Sequence, residues 1–341
     1  MKVLITRLSA HGDVIQTLPL LSALKTARPD VHIGWLVEAS AAPLLENHPL
    51  IDRLHVLPTK KDRSLGKRLA VLKTLRAERY EMALDVQGLL KSAIWPFLAG
   101  IPVRVGYRWT REMAWLFYTR TVARHALDNP YLPTVEVFLR LAGPVLGTRQ
   151  KPAVQFQIPP LHPDSEARAA HWLEGLPGPV VALAPATIWP SKHWPEGHWA
   201  ELMQALQTQS VLVLGAEKDR ALVNRLVQQA FGGQWPEHWR DLTGHTTLKD
   251  LYALFAKVAV FIGPDSAPLH IANAVGHTRI VGLYGPTAPG RTGPIGPGHV
   301  TLHTDLACQP CFKKRCPLQT GECLTRVTPA QVLETLATLP A

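Results

Sequence analysis

Gly263-Pro-Asp-Ser-Ala-Pro-Leu-His-Ile-Ala-Asn-Ala-Val-Gly276 decides the fold. It follows the apolar run Val258-Ala-Val-Phe-Ile262. Gly-Pro-Asp-Ser breaks that run, and from Ala267 the pattern predicts a helix. The order is strand, tight turn, helix. Asp265 or Ser266 can cap the helix by accepting a backbone N–H. The free N–H groups at its start, with the positive end of the helix dipole, suit a phosphate. His270, four residues after Ser266, sits one turn in on a similar face. Taken alone, the stretch reads equally as a buried helix with an ordinary cap and a satisfied core histidine.

The same alternation runs outward in both directions. Before it, 180–184 and 211–214 read as strands, with helices over 195–208, 217–230 and 248–257. After it come a strand over 280–283 and a glycine-proline loop to Gly298. Thr328-Pro329 opens a final helix with an N-cap and a proline at the first helical position. The first half repeats the plan. Strands are predicted over 2–8, 31–37, 54–57, 82–86 and 104–107, and helices follow Ser9-Ala-His-Gly-Asp13 and Gln87-Gly88. The aromatic and basic stretch 108–120 reads either as a helix at a lipid headgroup interface or as a half-buried packing helix. A further helix is predicted over 129–146. Strands alternating with helices in both halves predict an α/β protein of two parallel-sheet domains, with a cleft between them suited to a substrate pair. The proline-rich 152–163 segment marks the linker. We therefore expect domains at 1–160 and 161–327, with a C-terminal helix in 328–341.

The chain has 341 residues and 46% hydrophobic content, enough for two packed cores. No apolar run is long enough to span a bilayer, and the start reads as a first strand rather than a signal peptide. A cytoplasmic protein is expected, with contact to a membrane surface. The net charge of +10 suits an anionic partner. Much of it lies in Lys60, Lys61, Arg63, Lys67, Arg68, Lys73, Arg76 and Arg79, with only Asp62 and Glu78 as local acids. A solvated helix face explains such a run equally well. No helix-turn-helix, zinc-finger spacing or RNP-type motif points to nucleic acid.

Four positions of the second half describe a nucleotide-diphosphate site. Lys192 offers a cation for phosphate and Thr187 shares its loop. Asp219 can accept from ribose hydroxyls. The turn from Asp265 to His270 offers amides. The first-half glycine loop is not GxGxxG, so a dinucleotide fingerprint is absent. Asp13, where that loop enters its helix, reads as a cap or as a carboxylate facing the ligand end of the sheet. All four cysteines fall in Cys308-x2-Cys311-x4-Cys316-x6-Cys323. Clustered thiols in a reducing compartment suit a structural zinc or iron, or remain free.

Several motifs together resemble the bacterial lipopolysaccharide heptosyltransferases of glycosyltransferase family 9. They are Ser9-Ala-His-Gly-Asp13, Asp85-Val-Gln-Gly-Leu-Leu-Lys-Ser92, Lys192-His-Trp-Pro-Glu-Gly-His-Trp199, Asp265-Ser-Ala-Pro-Leu-His270 and Tyr284-Gly-Pro-Thr287. The resemblance implies two Rossmann-like domains facing across a cleft (GT-B). It implies inverting transfer of heptose from ADP-heptose to an anionic, lipid-linked Kdo-lipid A or heptosyl-Kdo-lipid A acceptor at the inner membrane, with no cofactor needed for catalysis. Asp13 would be the general base. Thr187, Lys192, Asp219, Asp265, Ser266, Ala267 and His270 would hold the donor, Ala267 standing where the family usually has glycine. Ser9, His11, Gly12, Lys60, Lys61, Arg63 and Arg120 would face the acceptor. The cysteine loop resembles the iron-holding finger of some protein-modifying relatives. A family member using another nucleotide sugar or a protein acceptor, or a nucleotide- or nucleic-acid-binding protein without transfer chemistry, are the rival readings.

Overall fold

The computed structural model describes residues 1–59, 61, 62, 64–108, 110–123, 129, 131–147 and 152–339, with the backbone alone of Arg111. The chain divides into two compact units, Met1–Pro160 and Leu161–Ala341.

The first unit contains β1 (Lys2–Thr6), α1 (His11–Ala27), β2 (His32–Glu38), β3 (Arg53–Leu57) and α2 (Leu65–Glu78). It continues with β4 (Met82–Asp85), α3 (Leu90–Leu98), β5 (Val103–Tyr107), β6 (Arg120–Val122) and α4 (Thr134–Leu139). Its six strands are all parallel, in the order β3-β2-β1-β4-β5-β6. β1 is central, and Val3, Leu4 and Ile5 are buried in succession, as a parallel strand covered on both faces requires. Helix α1 buries Val14, Ile15, Leu18, Leu21 and Leu24, and α4 packs against it.

The second unit contains α5 (Pro163–Leu173), β7 (Val180–Leu183), α6 (Glu196–Ala205), β8 (Ser210–Val213), α7 (Arg220–Phe231) and β9 (Trp239–Asp241). Then follow α8 (Leu248–Phe255), β10 (Val260–Pro264), α9 (Ala267–Val275), β11 (Arg279–Leu283), β12 (Val300–Leu302) and α10 (Pro329–Thr338). The six strands are again parallel, in the order β12-β11-β10-β7-β8-β9. Leu269 and Ile271 of α9 are fully buried. Each contributes about 1.5–3 kcal/mol by leaving water. Gly276, at φ +79, ends α9 in the left-handed conformation, its N–H bonded to the Ala272 carbonyl. In α10, Thr328 and Gln331 cap each other's backbone, and Val332 is buried in this unit's core.

In both sheets the strand order reverses beside the first strand: between β1 and β4, and between β7 and β10. The crevice at such a point, outside the carboxyl ends of the strands, is where open α/β sheets bind ligands.

The structure corrects three local expectations. The stretch 108–120 is not one helix. A 3-10 segment, Arg111–Phe117, has Glu112 and Met113 at positive φ, and Arg120 begins β6. The helix predicted over 129–146 breaks into Thr134–Leu139, Arg140–Ala142 and Gly143–Leu146, with Pro133 at the N-cap of the first piece and Pro144 opening the last. Edge strands β6, β9 and β12 have three residues each, too short to show a period of two. Among the described residues, no helix is long and apolar enough to cross a membrane.

Candidate active site

In the second unit, the loop after β7 meets the loop after β10. Lys192 ends a short 3-10 turn, Pro190–Lys192, and its ammonium donates to the Asp265 carboxylate Oδ2 at 2.7 Å and to the Asp265 carbonyl at 3.0 Å. His270 donates from Nε2 to Oδ1 at 3.1 Å. The donor role is fixed chemically, since an ionised carboxylate can only accept. Thr292 donates to Oδ2 at 3.1 Å. Asp265 is only 5% exposed and Lys192 14%. Burial alone would push the Asp265 carboxyl up. The His270 hydrogen bond and the Lys192 charge more than offset it, so the group titrates well below the usual carboxylate range.

The carboxylate is thus spent inside the protein. Lys192 uses two of its three donors on Asp265 and keeps one. Its ammonium also lies 4.9 Å from the Trp189 ring centre. Ser266 is the N-cap of α9, yet its side chain makes no capping bond, and its hydroxyl is buried without a partner. Ala267 is the first helical residue. The N–H groups of this first turn and the Ser266 hydroxyl are the groups that a ligand can satisfy. Thr287, in the loop after β11, has a second buried hydroxyl without a partner.

Thr187 and Asp219 stand on loops after the neighbouring strands β7 and β8. The Thr187 carbonyl accepts from His193 Nε2 at 2.8 Å. Asp219 Oδ2 accepts the Ala216 N–H at 2.9 Å, as a helix-entry cap does.

The first unit repeats the arrangement with different chemistry. The loop after β1 meets the loop after β4: the Leu8 N–H donates to the Gln87 side-chain oxygen at 2.8 Å, and Lys91 donates to Ser9 Oγ at 2.9 Å and Glu38 at 3.2 Å. Asp85 anchors the β4 turn. Its carboxylate is buried and accepts from Tyr118 (2.7 Å), Ser92 (3.0 Å) and the backbone N–H groups of Gln87 (3.0 Å) and Gly88 (3.2 Å). Burial pushes this carboxyl up, against those hydrogen bonds. Gly88 has φ +67, and a Cβ there would lie 3.1 Å from the Thr110 side chain, so the turn requires glycine.

Asp13 lies in the first turn of α1 and is 39% exposed. Its Oδ2 pairs with Arg7 and accepts weakly from the Ala10 N–H at 3.4 Å. His11 Nε2 donates to the Ser40 carbonyl at 2.9 Å, and burial pulls the ring's pKa down against that bond. Gly12 is in the same first turn. Lys61 and Arg120 are exposed, whereas Lys60 and Arg63 lie outside the described residues.

The metal expectation is not supported. Cys308, Cys311, Cys316 and Cys323 are free thiols. Among the described residues, no group of three or more His, Cys, Asp or Glu is placed to hold a metal ion. The loop is shaped by other bonds. Gln309 donates to the Gly285 carbonyl at 2.7 Å, Phe312 N–H to the Pro286 carbonyl at 2.9 Å, and Ser191 Oγ to the Lys313 carbonyl at 2.6 Å. The thiols differ in surroundings. Backbone N–H groups, that of Gly321 foremost, pull the Cys316 thiol down, while burial pushes Cys323 up to about 11.

The sequence reading assigned no role to Arg7, Gln87, Lys91 or Thr292. Gln87 and Lys91 lie inside a motif that it quoted. Arg7 carried a weak signal, a cation at the carboxyl end of an apolar strand. Thr292 sits in a glycine-proline loop with no local pattern.

Residues 68–321 match the model of glycosyltransferase family 9 (heptosyltransferase). The chain is 26% identical over 346 residues to lipopolysaccharide heptosyltransferase 2 of Escherichia coli (strain K12), covering 99% of this chain and 98% of that protein. It is 27% identical over 371 residues to lipopolysaccharide heptosyltransferase 1 of Pseudomonas aeruginosa, covering 97% and 96%. The structure of E. coli heptosyltransferase WaaC with ADP is similar at a TM-score of 0.76 and 27% identity, over 99% of both chains. The same enzyme with ADP-2-deoxy-2-fluoro heptose is similar at 0.73 and 25% identity, again over 99% of both chains. Two α/β units of this topology, together with this family match, define a glycosyltransferase. The chain belongs to glycosyltransferase family 9, the heptosyltransferases.

Proposed function

We propose that the protein transfers heptose from ADP-heptose, with inversion, to an anionic lipid-linked glycan, Kdo-lipid A or heptosyl-Kdo-lipid A. The observation that carries the donor half is the first turn of α9. Its N–H groups, the unpartnered Ser266 hydroxyl and the remaining Lys192 donor gather at the β7–β10 switch point. The second unit would hold the donor there, with Thr187 beside the phosphates and Asp219 at the ribose. Asp265 would act through Lys192 and His270 rather than by touching the donor, because both its oxygens are taken. The first unit would hold the acceptor, with Ser9, His11, Gly12, Lys61 and Arg120, together with Lys60 and Arg63, toward its anionic groups.

In this reading Asp13 accepts the proton of the acceptor hydroxyl as its oxygen bonds to the anomeric carbon. The bond from that carbon to the phosphate oxygen breaks, and its electron pair leaves with ADP. Lys192 and the α9 amides stabilise the leaving diphosphate, so no general acid is required. The test is transfer from ADP-heptose to Kdo-lipid A by wild type and Asp13→Ala, with ADP affinity measured in parallel. Loss of transfer with ADP binding kept supports both donor and base. Wild-type activity in Asp13→Ala removes the base. ADP binding without transfer by the wild type moves the reading to another sugar, another acceptor or a protein acceptor.

The lipid-linked acceptor places the reaction at the cytoplasmic face of the inner membrane. A surface of the first unit fits that setting. Leu65 and Leu69 of α2, Phe97 and Leu98 of α3, and Met113 and Leu116 are exposed. Arg76 donates to the Leu98 carbonyl at 2.9 Å, and the Phe97 and Phe117 rings lie 5.2 Å apart, which joins these elements into one face. Lys67, Lys73 and Arg79, on or next to α2, are exposed as well, Lys67 paired with Asp62. Exposed apolar side chains in the same segment as exposed cations suit anionic lipid better than nucleic acid. Wild type should sediment with anionic vesicles but not zwitterionic ones, and Leu69→Glu with Phe97→Glu should abolish that. Salt-sensitive binding to RNA or DNA without vesicle binding would overturn it.

A further inference from the structure

We infer that Arg7 is the positioning residue for Asp13, fixing which carboxylate oxygen takes the acceptor proton. The inference rests on the reading of Asp13 as the base.

Arg7 follows β1 directly, at the β1–β4 switch point. Its side chain is 8% exposed, whereas that of Asp13, with which it pairs, is 39% exposed. Three contacts fix the plane. Nη2 pairs with Asp13 Oδ2. Nη1 donates to the Val86 carbonyl at 3.2 Å, on the loop after β4. The Phe138 ring of α4 lies 5.1 Å from the guanidinium carbon. The backbone is held too: Arg7 N–H donates to the Leu36 carbonyl at 3.3 Å, and the Arg7 carbonyl accepts from Trp35 Nε1 at 3.1 Å. The cation therefore cannot follow a ligand. It is a fixed post, and Asp13 is the group at the surface.

The consequence is an asymmetric carboxylate. Oδ2 is occupied by Arg7 and, more loosely, by the Ala10 N–H. Among the described residues, Oδ1 accepts no hydrogen bond. Oδ1 is then the atom that receives the proton, and Arg7 sets its place. The arrangement has a cost, since Arg7 Nε is buried without a partner. A buried donor left unsatisfied is uncommon and calls for a physical reason, and a guanidinium plane fixed by its other contacts supplies one. Arginine also suits the task better than lysine, because its planar fork spans Asp13 and Val86 at once.

A double-mutant cycle tests this, with Arg7→Met and Asp13→Asn in transfer from ADP-heptose to Kdo-lipid A. Methionine keeps bulk against Phe138, and water can solvate the half-exposed Asp13 left behind. A misplaced base should cost roughly tenfold to a hundredfold in kcat. KM for the donor and ADP affinity should stay within about twofold, and Arg7→Lys, which keeps the charge but cannot span Asp13 and Val86 at once, should restore only part of the rate. In an Asp13→Asn background, Arg7→Met should cost less than about twofold more, because the residues act as one unit. Equal losses in both backgrounds would reduce Arg7 to a structural role, as would a raised acceptor KM with unchanged kcat. If Asp13→Asn alone transfers at the wild-type rate, the base assignment fails first and separately. Should Arg7→Met fail to fold, as judged by ADP binding and melting, Arg7→Gln carries the same cycle with the same outcomes.

Discussion

The two switch points are built alike and charged oppositely. In each unit the loop after the first strand of the sheet meets the loop after the fourth, and a carboxylate there is paired with a cation. In the second unit the carboxylate is the buried partner. Asp265 is saturated, and Lys192, Ser266 and the α9 amides are what remains for a ligand. In the first unit the cation is the buried partner. Arg7 is wedged under the loop, and Asp13 is what remains. Topology thus chose the place of each site, and the choice of which charge to bury chose its chemistry. In the proposed reading, one end would receive an anion and the other a proton.

The sharpest way to break this comparison is Asp13→Ala. If Asp13 is the outward-facing working group, kcat should fall by roughly two to four orders of magnitude. ADP affinity, measured by calorimetry, should not change. Next in size is Asp265→Asn, which should act mainly on stability. Asparagine keeps one accepting oxygen but turns a donor toward the groups on the other and leaves the Lys192 ammonium without its buried counter-charge, which should cost about 3–5 kcal/mol. A chemical denaturation curve would show it, and a variant as stable as wild type would mean that the two carboxylates are not opposites. Lys192→Met comes third. Loss of one charge-assisted bond, about 1.5–3 kcal/mol, should weaken ADP roughly tenfold to a hundredfold while the fold holds.

A pH series sharpens the contrast further. The Asp265 carboxyl is held below its unfolded value of about 3.9. The unfolded chain therefore takes up the proton first as pH falls, so the stability from this group is complete above about pH 5 and declines progressively as pH falls from about 4 toward the lower folded value. The melting-temperature gap between wild type and Asp265→Asn should be flat from pH 5 to 8 and close in acid. A gap that opens in acid would reverse the assignment. The smallest effect should come from Thr292→Val, about 1 kcal/mol of stability, because it removes one of several hydrogen bonds to Asp265.

Much of this was legible in the chain. Continuous apolar runs such as Val180-Val-Ala-Leu183 and Val260-Phe-Ile262 announce buried parallel strands, and glycine, proline and capping residues mark the turns between them. Local position marked Asp13, Lys192, Asp265 and His270 as candidates beside capping, surface and core readings, and only the family resemblance gave Asp13 the role of base. The stretch 108–120 did not read correctly, because a 3-10 segment with two residues at positive φ has no periodic signature. Edge strands of three residues leave none either.

The sequence by itself determined where strands, turns and helix starts fall, because those follow from neighbours within a few residues. It could not determine which charge of each pair is buried. Arg7 bonds to Val86 across 79 residues, and Lys192 to Asp265 across 73. Phe138, which covers Arg7, arrives on a helix more than a hundred residues away. Burial is a property of what packs on top, so only the tertiary structure decided that Asp265 would be spent inside and Asp13 left at the surface.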